Sequence, residues 1–66
     1  MNEERMLKWF EFEFAPPNLQ DVTRPFYVLA ERLCFECEPG PERTVALRKL
    51  LEAKDAAVRA KLHPGG

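Results

Sequence analysis

The sequence predicts an all-α fold: an antiparallel helical hairpin with a short extended aromatic N-terminal arm, assembled as a homo-oligomer. Two stretches place their apolar residues at spacings of three and four, the period of an amphipathic helix. The connection between them, Glu38-Pro39-Gly40, is short enough that the two helices should run antiparallel. The apolar surface of the second helix is wider than one partner helix covers. A chain of 66 residues buries only roughly 60% of its unfolded surface as a monomer, so a disulfide, a metal or self-association is needed as a staple. The chain reads as a single domain, 1–66, with an arm over 1–18, a first helix over 19–37, a second over 41–62 and a tail over 63–66.

The arm begins polar and charged, and Met6 and Leu7 then lead into Trp9-Phe10-Glu11-Phe12-Glu13-Phe14. Phe10, Phe12 and Phe14 alternate with Glu11 and Glu13, which predicts an extended segment with three rings on one side and two carboxylates on the other. A single strand does not stand alone, so this one must lie on the hairpin or pair with a copy of itself. Pro16 and Pro17 end it, and Asn18 is the expected N-cap of the first helix.

In the first helix Leu19, Val22, Phe26, Leu29, Leu33 and Cys37 form the apolar stripe. Pro25 falls within it. Either the helix kinks there, or Thr23 caps a fresh helix whose first turn tolerates the proline. Tyr27 stands off the stripe and reads as an interface residue or a pocket wall.

The second helix starts at Pro41, a residue suited to the first helical position, with Glu42 complementing the positive helix end. Its stop is set by His63, Pro64 and two glycines. Leu47, Leu51, Val58 and Leu62 form one side, while Ala46, Leu50, Ala53, Ala57 and Ala60 form a shallower one where another helix can approach closely. Lys54 shares the side of Leu47, Leu51 and Val58, so its stem should be buried with the charge at an edge. Arg48 with Glu52 and Arg59 with Asp55 have the spacing of solvated ion pairs.

Ten basic residues nearly cancel eleven acidic ones, so no overall field favours DNA or an anionic membrane, and any anion site must be local. The sequence shows neither a bilayer-spanning apolar run nor a signal-peptide pattern, and a soluble intracellular protein is expected. Cys34 and Cys37 make one CxxC, half a zinc site; a dimer could complete it, a redox pair is conceivable, and two small packed residues at a helix end is the simpler reading. No metal, cofactor or catalytic residue is expected. The chain has one histidine, in the tail, and no glycine-rich phosphate loop, so binding without turnover fits better than catalysis.

The order of aromatic arm, prolines, Leu29-Ala30, a proline turn, Glu42-Arg43-Thr44 with Ala46-Leu47, then Leu50-Leu51-Glu52-Ala53 and Ala56-Ala57-Val58-Arg59 resembles the helical-hairpin family of small phage anti-CBASS and anti-Thoeris sponges. The resemblance runs from about Trp9 to Leu62 and rests on a plain helical pattern. It implies a homo-oligomer, a hexamer in known sponges, in the cytoplasm of an infected bacterium. Such a protein holds a cyclic dinucleotide, a cyclic trinucleotide or a cyclic ADP-ribose isomer without cleaving it. It also implies that Arg43 meets phosphate with Thr44 and Ala46 beside it, that Phe12 stacks on a base, and that Arg24 supplies a second cation.

The residues themselves leave alternatives. Arg43 lies where free N–H groups and the helix dipole favour an anion, and a salt bridge to Glu42, Glu38 or a neighbouring protomer serves the same charge. Arg24 has Asp21 nearby. The phenylalanines suit burial as well as base stacking. A small oligomeric phage interaction or structural accessory protein, using the same aromatics on a protein partner, is the alternative function.

Overall fold

The structure is a computed structural model describing residues 5–12 and 15–65. Among these residues every regular element is helical: a 3₁₀ turn over Arg5–Phe10, helix α1 over Pro17–Glu36 and helix α2 over Pro41–Leu62. The two α-helices form a hairpin, and the 3₁₀ turn packs on both.

The expected extended arm is instead a 3₁₀ turn over its first part. Among the described residues no strand lies beside it to share a ladder. A 3₁₀ turn stacks residues three apart, which puts Leu7 and Phe10 on one side. Phe10 is fully buried, and Met6 and Leu7 pack beside it. Of the other two rings, Phe12 is half-buried and Phe14 lies outside the described residues, as does Glu13. Lys54 holds the turn in place by donating from Nζ to the carbonyl of Trp9 at 2.8 Å, with its side chain only 16% exposed. Its charge therefore sits at the edge of the core, also 3.2 Å from Asp55.

Helix α1 begins two residues before the expected start. Pro16 is its N-cap and Pro17 its first residue, so Asn18 lies inside the first turn instead of capping it. Pro17 has no N–H to leave unsatisfied and its fixed φ suits a first turn. The N–H groups of Leu19 and Gln20 both donate to the Pro16 carbonyl, at 2.8 and 3.1 Å. Helix α1 runs on through Pro25, and Thr23 does not restart it. The Thr23 hydroxyl donates to the Leu19 carbonyl at 3.0 Å, which satisfies a buried side chain inside the helix.

Phe10, Ala30 and Leu47 are fully buried, one from each element, with Phe26, Leu33, Leu50 and Leu51 around them. Leu29 belongs to the expected stripe yet is 47% exposed, and Cys37 is exposed because it leaves the helical path as the C-cap of α1. Cys34 is half-buried against the core, and neither Cys34 nor Cys37 is in a disulfide. The chain measures 37 × 22 × 15 Å. With a helix about 10–12 Å across, that thickness leaves the outer face of each helix uncovered. Among the described residues no helix is long and apolar enough to cross a membrane.

Candidate functional site

Two of the expected site residues come together. Arg24 sits over the ring of Phe12, its guanidinium carbon 5.7 Å from the ring centroid, within cation–π range. Tyr27, one turn further along α1, meets the same ring edge-on, with centroids 5.6 Å apart and planes at 65°. Gln20, Arg24 and Tyr27 are spaced by four and three and so line one side of α1.

The placement of Phe12 reflects local backbone chemistry. The Ala15 N–H donates to the Phe12 carbonyl at 3.1 Å, and the Gln20 side-chain amide donates to the Ala15 carbonyl at 2.8 Å. These two bonds run from the arm to the first turn of α1. Phe12 and Tyr27 are half-buried and Arg24 is exposed, so the cluster presents a cation beside partly covered aromatic surface. A ring and a guanidinium side by side suit recognition of a planar anionic ligand, the ring for a base and the guanidinium for phosphate.

Arg43 is placed differently from the expectation. It is only 6% exposed and donates from one terminal nitrogen to the carbonyls of Cys34 and Cys37, at 3.2 and 3.0 Å. These carbonyls belong to the C-terminal end of α1, where helix carbonyls lack intrahelical partners and the dipole is negative. A cation at the start of α2 is thus compensated by the end of α1, which the short loop over residues 37–40 brings beside it. In this single chain Arg43 acts as a clasp between the helices, and its guanidinium does not face an open phosphate site. Thr44 and Ala46 are half-buried next to it, the Thr44 N–H donating to Gly40 at 3.1 Å.

Arg24 and the clasped carbonyls are separated by ten or more residues of α1, about 15 Å of helix. The five expected residues therefore divide into a surface pair, Phe12 and Arg24, and a packed group around Arg43. Gln20 and Tyr27 join the surface pair, and their spacing with Arg24 is the sequence signal that marks them. Among the described residues no group of three or more histidine, cysteine or acidic side chains is arranged to hold a metal. Comparison of the chain with protein families, with curated proteins and with solved structures finds no match.

Proposed function

We propose that this chain is a phage anti-defence protein that binds cyclic nucleotide second messengers and sequesters them intact, blocking CBASS-type signalling in the cytoplasm of the infected bacterium. The ligand is a cyclic di- or trinucleotide, or a cyclic ADP-ribose isomer, and the working form is a homo-oligomer, a hexamer by resemblance to the sponges. The observation that carries this reading is the surface cluster of Phe12, Arg24 and Tyr27. It pairs an aromatic ring with the guanidinium that lies over it, the two group types that a nucleotide's base and phosphate call for, and these groups are suited to holding a ligand rather than to transforming it. Phe12 stacks on a base, Arg24 meets phosphate, and Arg43 contributes by holding the hairpin together.

Thermal unfolding with and without ligand is the test. A ligand at 100 times its Kd stabilises by about 2.7 kcal/mol, a rise of roughly 10–20 °C for a domain of this size. Phe12→Ala removes a stacking contact of about 1–3 kcal/mol, so binding should weaken about 5- to 150-fold, and Arg24→Ala should weaken it comparably. A gain that survives both substitutions would overturn the assignment of the site.

A second reading is favoured by a separate observation. Val28, Leu29 and Phe35 are exposed on α1, and an interaction protein would use such a surface on a partner. That reading predicts no thermal gain with any cyclic nucleotide.

A further inference from the structure

Helix α1 carries a second apolar strip on the side opposite Ala30. Val28 is 56% exposed and Phe35 83%. Together with Asp21, Pro25 and Arg32 they are spaced 4, 3, 4 and 3, the seam of a coiled coil, and they line one shallow groove that Arg24, Leu29 and Glu31 also border. Nothing in the hairpin requires this strip, since α1 already buries its other side on Phe10 and Leu47.

We propose that this face of α1 docks antiparallel onto the same face of a second copy, about a two-fold axis between Phe26 and Tyr27. The charges select this arrangement. Placing Pro25 against Val28 of the second copy, and Val28 against its Pro25, brings Asp21 opposite Arg32 of the second copy and the reverse, so both seam charges are paired at once. The same register sets Phe35 over Asn18 of the second copy. Arg32 uses Nε for Glu36 at 2.9 Å, which leaves its terminal nitrogens for a second carboxylate. A parallel pair would face Asp21 with Asp21 and Arg32 with Arg32. Sliding the antiparallel pair by one heptad would set Arg32 against Val28. Both alternatives leave charge unpaired in the seam.

This inference deepens the homo-oligomer reading above by naming the surface, and its test separates the two. Sedimentation of the whole chain over a concentration series should show an assembled species. Asp21→Arg and Arg32→Asp should each weaken the association at least about tenfold by facing like charges across the seam, and the double variant should restore the wild-type mass. Both positions are exposed, and circular dichroism should report unchanged helix content. Val28→Glu, at the centre of the seam, should also lower the mass. A wild-type chain that stays monomeric would overturn the oligomer and the surface together. An assembled wild type whose mass resists all three single substitutions would overturn the surface alone. Single swaps that weaken assembly without rescue in the double variant would overturn the antiparallel register.

Discussion

Removing the Arg43 guanidinium separates a structural clasp from a ligand contact, because the two roles predict different losses. In Arg43→Ala the carbonyls of Cys34 and Cys37 lose a charged donor at 3.2 and 3.0 Å. A hydrogen bond to a charged group contributes about 1.5–3 kcal/mol. Cys37 is exposed, so water can replace part of the loss at its carbonyl, and the expected cost lies at about 2–4 kcal/mol. A chain of 66 residues has roughly 3–10 kcal/mol of stability in total, so this is a large share of it. At about 4–8 °C per kcal/mol, the midpoint should fall by roughly 8–32 °C in the absence of any ligand. Arg43→Lys keeps the charge but not the planar fork and should fall between the two. The assay is thermal and urea unfolding followed by circular dichroism at one protein concentration, since self-association makes the midpoint depend on concentration. An Arg43→Ala protein that unfolds at the wild-type midpoint, yet loses its response to ligand, would refute the clasp and return Arg43 to the phosphate.

Other positions give independent checks. Leu47→Ala empties a fully buried site between the elements and should cost about 2–5 kcal/mol in urea unfolding. Pro25→Ala restores an N–H inside α1 and should raise the stability of the hairpin by about 1–2 kcal/mol, the helix gain being partly offset by a more flexible unfolded chain. Gly40→Asp gives α2 an N-cap side chain where the glycine makes no cap and an added Cβ meets nothing within 4 Å. It should stabilise by about 0.5–1 kcal/mol in the same assay. Lys54→Ala releases the Trp9 carbonyl, so the fluorescence of Trp9, the single tryptophan, should become more accessible to quencher while the helices persist.

The hairpin is legible in the sequence because apolar period, proline starts and a short loop all point the same way. Leu47 and Leu51 pack on the core as their spacing indicates, and the Lys54 side chain is largely buried, whereas Leu50, placed by its spacing on the shallower side, packs on the same core and Leu62 is 49% exposed. The arm is not, because alternation of Phe10, Phe12 and Phe14 is a strand pattern only where a neighbouring strand exists. Leu7 and Phe10, three apart, fit a 3₁₀ turn equally well, and packing decides between them. Two expected ion pairs take other partners: Glu52 faces Lys49 at 3.8 Å and Asp55 faces Lys54. Exposed i,i+3 and i,i+4 pairs differ by only tenths of a kcal/mol, too little to be read from spacing.

The site is legible in part. Phe12 and Arg24 are brought together, while the role of Arg43 escapes a reading of its own helix because its environment is set by the preceding one. An arginine two residues into a helix, six residues after a helix-ending cysteine, is placed to bind that end's free carbonyls. The outer strip of α1 is hidden for a related reason. Val28 and Phe35 lie seven apart, but the inner stripe of Leu19, Val22, Phe26 and Leu33 already satisfies a helical hairpin, and only exposure reveals that α1 is apolar on both sides.

The central claim, an intact ligand held at Phe12 and Arg24, is tested most directly by calorimetry. Purified protein is titrated with a panel of cyclic dinucleotides, cyclic trinucleotides and cyclic ADP-ribose isomers, then digested, and the released ligand is identified by chromatography. The account predicts tight binding of at least one class, its recovery chemically unchanged, and loss of the binding heat in Phe12→Ala and Arg24→Ala. Silence across the panel from a folded, assembled protein, or recovery of cleaved nucleotide, would contradict it.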